Sequence, residues 1–158
     1  MHLQRPSQPR IEPIPKVVAK AKEAMADQPV KAANVVATLS HNRTIRDAVN
    51  TLSQTVLFKG DLPRRQVEIA VLRMGWNCQS VYEFGQHTLF GRDAGLSDGE
   101  IYHTTRPIDH GGWSPADAAI LQLVDDLYAD DCVSDATWAE ASQHFGEADI
   151  IHLIATAG

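Results

Sequence analysis

Two side chains four residues apart, Glu83 and His87, form the arrangement in this sequence that is best suited to proton transfer. Residues four apart share one face of an α-helix, and Ser80 lies about one turn before Glu83 on that face. A histidine titrates near neutral pH, and a neighbouring carboxylate sets the direction in which its pKa shifts. The spacing therefore predicts an acid/base group on one helix.

A second carboxylate, Glu68, stands in an otherwise apolar helical segment whose residues 67, 69, 71 and 72 are Val, Ile, Val and Leu. We expect Glu68 to be at least partly buried, and a buried carboxylate must be paired or become neutral. An adjacent helix that carries Glu83 and His87 supplies such a partner. A structural ion pair is the alternative interpretation of the same residues. A divalent metal site is disfavoured, because no second well-spaced histidine accompanies them.

The elements that must position these side chains are all helical, since apolar residues recur at helical rather than strand spacing along the chain. Ser97-Asp98-Gly99-Glu100 has the pattern of a capping box. The predicted helices cover residues 16–27, 30–39, 44–58, 64–76, 79–94, a short segment from 98, 115–128, 135–145 and the residues from 147 onward. Residues 106–113 are predicted to form a loop. We therefore predict an all-α fold.

Composition and charge narrow the class of protein further. The 158 residues carry a formal net charge of -6 and no basic stripe, which disfavours a nucleic-acid partner. No apolar run has the length of a membrane span, and the first residues lack the apolar core of a signal peptide, so we expect a cytoplasmic protein. Four prolines in residues 1–15 predict an extended arm, followed by one domain over residues 16–158.

Three sequence segments carry a resemblance to a known family. LPRRQVEIAVLR at 62–73, YEFGQH at 82–87 and GRDAGLS at 91–97 are similar to the carboxymuconolactone decarboxylase family, whose superfamily includes the alkyl hydroperoxidase D proteins. Residues 34–41, 113–117 and 125–128 extend the likeness over roughly residues 30–155. The resemblance implies a helical bundle around a central antiparallel helix pair. It also implies homotrimers or homohexamers with the active site near a subunit interface.

The hydroperoxidase members have a glutamate, eleven residues, Cys-x-x-Cys, three residues and a histidine. In this chain Glu68 and His87 occupy the outer positions, and Ser80 and Glu83 stand where the two cysteines would be. A dithiol mechanism is therefore disfavoured. We expect Cys78 to be a small core or boundary residue, with a lone reactive thiol as the alternative. Acidic neighbours predict that Cys132 is inert.

The resemblance to the decarboxylase members implies a lyase that needs no cofactor and acts on a small unsaturated lactone or keto acid. Under that hypothesis His87 is the general acid/base, and Glu83 or Glu68 orients it and relays the proton. Tyr82 and Ser80 are candidates for contact with the substrate, although core packing is the alternative for Tyr82. Arg73 is a candidate for binding a substrate carboxylate, with a surface ion pair as the alternative. A thiol-dependent hydroperoxide reductase and a non-catalytic oligomeric binding protein are the competing functions.

Overall fold

The chain folds into α-helices joined by short turns, and this computed structural model describes residues 8–24 and 33–158. No strand occurs in these residues, which confirms the all-α prediction. The helices in chain order are α1 Pro15–Ala24, α2 Ala33–Leu39, α3 Arg43–Gln54, α4 Arg64–Asn77, α5 Val81–Asp93, α6 Asp98–His103, α7 Pro115–Asp130, α8 Asp135–Ala141 and α9 Glu147–Ala157.

Serine is the N-cap residue of three of these helices, α6, α7 and α8, as the sequence predicts. The Ser97 hydroxyl accepts a hydrogen bond from the backbone N–H of Glu100, and the Glu100 carboxylate accepts one from the Ser97 backbone in return. Ser114 and Ser134 cap α7 and α8 in the same way. Each cap satisfies an N–H group that the first helical turn leaves without a partner.

Packing divides the chain into two compact units, residues 1–51 and 52–158, and the division falls within α3. The arm over residues 1–15 and the single domain over residues 16–158 stay a prediction from the sequence. In the first unit α1 packs on α2, and the imidazole Nε2 of His41 lies 3.0 Å from the backbone oxygen of Glu12. Residues 8–14 are not helical, and the rest of the predicted arm, residues 1–7, lies outside the described residues.

The second unit is built around α4, which packs against α5, α7 and α9. Its core is aliphatic, and the largest apolar side chains with less than 2% exposure are Val67, Ile69, Leu72, Ile120, Leu121, Leu123, Val124, Ile150 and Leu153. The helices α4 and α5 run antiparallel and are joined by only three residues, 78–80, of which Gln79 has a φ of 53°. This hairpin is the predicted central helix pair.

Helix ends account for the differences from the predicted elements. The third helix is predicted to reach residue 58, but α3 ends at Gln54 and a π-helical turn follows over Thr55–Lys59. The His152 imidazole Nε2 lies 2.8 Å from the Val56 backbone oxygen in this turn, so a residue 96 positions away participates in it. The loop at 106–113 contains a 3₁₀ turn, Ile108–His110, and α8 ends at Ala141 rather than near residue 145. The predicted end of the first helix, residue 27, and the predicted beginning of the second helix, residue 30, both lie within residues 25–32, which are outside the described residues.

Membrane-spanning helices do not occur among the described residues, because none of these helices is both long enough and apolar enough to cross a bilayer.

Candidate active site

Glu68 on α4 and His87 on α5 form a buried pair at the centre of the helical hairpin. Their side chains are only 1% and 6% exposed, and the His87 Nδ1 atom lies 2.7 Å from the Glu68 Oε2 atom. The antiparallel course of α4 and α5 brings these residues together although they are 19 positions apart in the chain. The sequence-based expectation that Glu68 is buried and paired across two helices is confirmed.

Glu83 contacts the other nitrogen of the same imidazole ring. The His87 Nε2 atom lies 3.4 Å from the Glu83 Oε1 atom, and the Glu83 side chain is 50% exposed. The ring is therefore held between a buried carboxylate on one side and a carboxylate that contacts solvent on the other. Because Glu83 and His87 are one helical turn apart, the regular geometry of α5 produces this contact.

The two carboxylates decide the charge of the histidine. Burial alone lowers the pKa of His87, but the hydrogen bonds and negative charges of Glu68 and Glu83 outweigh burial and raise that pKa to about 9. The hydrogen bond with His87 also lowers the pKa of Glu83, against the opposing effect of its partial burial. At neutral pH the site therefore holds an imidazolium, which can donate a proton from Nε2 while Nδ1–H remains bonded to Glu68.

The Glu68 carboxylate has one further property. Its Oε1 atom is buried and has no hydrogen-bond partner among the described residues, while Oε2 accepts the bond from His87. A buried acceptor without a partner is costly, so this oxygen is a position for a donor from water or from a bound molecule.

An aromatic cluster that the sequence analysis does not identify flanks the imidazole. The ring centroids of His87 and Phe90 are 5.3 Å apart, and Phe58 stands edge-on to Phe90 at 6.1 Å. The Arg64 guanidinium lies over the Phe58 ring at 5.2 Å and pairs with Asp93. Phe90 follows His87 by three residues, so helical spacing indicates its position. The position of Phe58 depends on the π-helical turn, for which the sequence carries no signal.

Ser80 and Tyr82 lie at the start of α5, close in sequence to Glu83. Ser80 is the residue that precedes the helix, and it lines a surface cavity whose lining includes neither Glu68 nor His87. Tyr82 is 42% exposed, so the alternative of core packing is wrong for this residue.

Arg73 contacts other residues than Glu68, Glu83 and His87. Its side chain is 10% exposed, and its guanidinium donates to both carboxylate oxygens of Asp125 at 2.6 and 2.7 Å. It also donates to the backbone oxygens of Thr104 and Arg106, each at 2.8 Å. The alternative role predicted for Arg73, a surface ion pair, is confirmed in part: Arg73 pairs with Asp125, but the pair is largely buried. Because these contacts occupy all three nitrogens, Arg73 ties α4 to α7 and to the end of α6, and we leave it out of the proposed site.

Neither Cys78 nor Cys132 forms a disulfide bond, and both side chains are exposed. The expectation that Cys78 packs in the core or at its boundary is therefore wrong; its Sγ atom lies 3.6 Å from the Met74 Sδ atom on the surface of α4. Periodicity places Cys78 at the end of an apolar helix, but α4 ends just before it and its side chain points outward. Within residues 8–24 and 33–158, no group of three or more His, Cys, Asp or Glu side chains is arranged to hold a metal ion.

Comparison with protein families identifies one match. Residues 44–126, slightly more than half of the chain, match the carboxymuconolactone decarboxylase family. No curated protein matches the sequence.

Solved structures show the same fold at low sequence identity. A peroxidase-related protein from Ralstonia eutropha JMP134, an alkylhydroperoxidase AhpD core, gives a TM-score of 0.79 at 18% identity over 96% of this chain and 85% of its own. A protein of unknown function from Agrobacterium tumefaciens, named as a candidate AhpD antioxidant defence protein, gives a TM-score of 0.70 at 20% identity. The match covers 76% of this chain and 83% of that protein. The debrominase Bmp8, solved in complex with 2,3,4-tribromopyrrole, gives a TM-score of 0.74 at 10% identity. The match covers 96% of this chain and 83% of that protein. These likenesses show an alkyl hydroperoxidase D-like fold.

Proposed function

This chain belongs to the carboxymuconolactone decarboxylase family, and from that premise we propose that it is a cofactor-free decarboxylase, or a related proton-transferring lyase or isomerase. The proposed substrate is a small organic acid of the unsaturated lactone or keto acid class. The observation that carries the proposal is the buried Glu68–His87 pair, whose imidazole also contacts Glu83.

The chemistry needs a proton donor at a defined position. When the carboxylate of such a substrate leaves as carbon dioxide, the C–C bond breaks and its electron pair moves into the conjugated carbonyl. The resulting dienolate carbon then takes a proton. An imidazolium with a pKa of about 9 carries that proton at neutral pH. In this proposal His87 Nε2–H is the donor, so each turnover consumes one proton from solvent.

Glu68 and Glu83 have different roles in the proposed reaction. Glu68 is buried, so it acts as a positioning residue that holds Nδ1–H and the ring orientation. Glu83 is half exposed and contacts Nε2, so it returns a proton from solvent to His87 after each turnover. A bound substrate displaces the 3.4 Å contact between Glu83 and Nε2 more readily than the 2.7 Å bond to Glu68.

We propose secondary roles for Tyr82 and Ser80 as groups that contact the substrate. Tyr82 is exposed beside Glu83 in the first turn of α5 and carries a phenol that can donate to a developing oxyanion. Ser80 directly precedes α5 and lies three residues before Glu83. We also propose a reducing, cytoplasmic setting, with which two exposed cysteines outside disulfide bonds are consistent.

We further propose that the protein is a homotrimer or homohexamer. In the second unit, large apolar side chains on α8 and α9 are exposed: Trp138 by 45%, Ile151 by 67% and Ile154 by 36%. Such a face is typical of a surface that another subunit covers. Light scattering coupled to gel filtration measures the subunit number.

One observation favours a second candidate, thiol-dependent hydroperoxide reduction: Cys78 is exposed and lies two residues before Ser80. Against it, the two cysteine positions of the hydroperoxidase pattern hold Ser80 and Glu83, so no resolving thiol follows at the required spacing. A third candidate, a non-catalytic oligomeric binding protein, predicts that substitutions of His87 leave the cellular role intact.

Carbon dioxide release from a panel of unsaturated lactone and keto acids tests the proposal, with γ-carboxymuconolactone in the panel. We expect release by the wild type that is lost in His87→Ala and reduced in Glu83→Gln. A matched pair elsewhere is the control: Glu140 and His144 are also four residues apart and 3.3 Å from each other, and His144→Ala should retain full activity. Peroxide consumption with an external thiol, lost in Cys78→Ser, would instead establish the second candidate.

A further inference from the structure

A surface cavity of about 610 Å³ lies beside the α4–α5 turn. Its aromatic lining consists of Trp76, Phe84 and Tyr128. Neither His87 nor either of its carboxylate partners lines it. The volume lies in the range of about 300–1,000 Å³ that is typical of sites for small molecules.

Gly85 forms part of the cavity wall, and the packing of the protein does not explain this glycine. It lies inside α5 with ordinary helical backbone angles, where glycine costs about 0.5–1 kcal/mol relative to alanine. A Cβ atom placed on Gly85 would meet no atom within 4 Å. Gly75, on the facing helix, is different, because a Cβ there would lie 3.4 Å from the Phe84 backbone. Gly75 therefore serves helix packing, whereas Gly85 leaves room in the cavity.

The lining also indicates the charge of the ligand. No Asp, Glu, Lys, Arg or His side chain lines the cavity; its polar residues are Asn77, Gln79 and Ser80. The Asn77 side-chain amide donates to Asp125 at 2.7 Å, which orients the Asn77 carbonyl oxygen as an acceptor. A charged ligand would find no oppositely charged side chain among these residues. Flat aromatic walls favour a planar ring, which stacks on them or meets them edge-on.

From these observations we infer that the cavity between Trp76, Tyr128 and Gly85 is a binding site for an uncharged planar ring compound that carries one polar substituent. The lining of this site includes none of Glu68, Glu83 and His87, with Ser80 at the boundary between the two sites, and it offers no cation to the organic acids that the reaction centre would use. A second copy of the chain is a less suitable occupant, because a contact between subunits does not require the open space above Gly85.

Nuclear magnetic resonance titration tests this site on the wild-type protein with three probes: indole, benzamide and benzoate. The readout is the indole N–H signal of Trp76, assigned with Trp76→Phe. We expect indole and benzamide to shift this signal saturably. Benzoate has nearly the same shape as benzamide but a full charge, and we expect it to bind at least about tenfold more weakly, which corresponds to about 1.4 kcal/mol.

Two leucine variants locate the binding. Gly85→Leu fills the cavity and should weaken benzamide binding by at least about tenfold. Gly99→Leu makes the same change on α6, away from the cavity, and should bind as the wild type does. If Gly85→Leu does not fold, Gly85→Ala replaces it, since its single methyl group meets no atom within 4 Å, and it should bind benzamide measurably more weakly.

Several results would overturn the inference. They are the absence of a saturable shift with indole and benzamide, equal binding of benzoate and benzamide, and undiminished binding by a folded Gly85 variant. A change in subunit number in Gly85→Leu, together with no binding of indole or benzamide to the wild type, would show that the surface is a subunit contact instead. The titration does not depend on the chemistry of His87, so its failure leaves the proposed reaction untouched.

Discussion

The Nδ1 atom of His87 lies 2.7 Å from the Oε2 atom of Glu68, and at least 94% of each side chain is buried. This bond fixes which nitrogen is available for chemistry. With Nδ1–H committed to Glu68, only Nε2 can exchange a proton with a substrate or with Glu83, whose Oε1 atom is 3.4 Å away. The predictions below test this assignment and the contacts that support it.

Replacement of His87 by alanine should lower turnover by about 10²–10⁴-fold, the range that a positioned general acid contributes. The physical reason is the loss of the only imidazolium in contact with both Glu68 and Glu83. Steady-state carbon dioxide release gives the rate, and light scattering gives the subunit number. A variant that loses its rate and its assembly together would show that His87 is structural.

Replacement of Glu68 by glutamine should lower the pKa of His87. The substitution removes the buried negative charge that, together with Glu83, raises this pKa to about 9, while burial continues to lower it. The pH dependence of the His87 imidazole signal in magnetic resonance measures the change. His144 in the same variant serves as an internal control, because its partner Glu140 is unchanged. An unaltered titration of His87 would contradict the assigned pairing.

Stability should fall as the pH rises from about 6.5 toward 9. The pKa of His87 is raised from 6.5 to about 9 in the folded protein, so folding is favoured by proton binding. That contribution is fully present below pH 6.5 and is lost as His87 deprotonates. Urea unfolding at a series of pH values measures it, and the difference between wild type and His87→Gln should shrink over this interval. A difference that stays constant from pH 6.5 to 9 would refute the raised pKa.

Replacement of Arg73 by methionine should destabilise the fold by about 3–5 kcal/mol. It removes the cation that pairs with Asp125, which keeps only its bond from the Asn77 amide, and it removes the donor to the backbone oxygens of Thr104 and Arg106. Arg73→Lys keeps the charge but lacks the fork that contacts both carboxylate oxygens, so it should recover only part of the loss. Denaturant unfolding measures both variants. If Arg73→Met keeps the wild-type stability but loses substrate affinity, Arg73 belongs to the substrate site after all.

Replacement of Gly60 by alanine should cost about 1–3 kcal/mol, the usual penalty for overpacking. A Cβ at Gly60 would overlap the imidazole of His152, which would have to leave the Val56 oxygen. The double variant Gly60→Ala/His152→Ala removes the clash, so the two substitutions should be non-additive in denaturant unfolding. Simple additivity would show that the ring yields without cost.

Local patterns in the sequence predict much of this structure. The serines before α6, α7 and α8 mark the beginnings of these helices because capping depends only on residues three positions apart. The contact between Glu83 and His87 follows from helical spacing for the same reason. The pairing of Glu68 with His87 needs one further inference, that a carboxylate among apolar neighbours must find a partner on the adjacent helix.

The features that the sequence does not reveal depend on contacts between distant segments. The π-helical turn at Thr55–Lys59 receives a hydrogen-bond partner from α9. The burial of Arg73 depends on oxygens from α7 and from the end of α6, which periodicity within α4 does not indicate. The exposure of Cys78 depends on where α4 ends, and helix ends are poorly specified by periodicity.

The short connection between α4 and α5 has a consequence for how the protein folds. Glu68 and His87 are 19 residues apart, and contacts at such small separation carry a low entropic cost of loop closure. Chains that depend on local contacts fold faster than those that depend on distant ones. We therefore expect the hairpin that carries His87 to form early in folding, before α7 and α9 pack against α4.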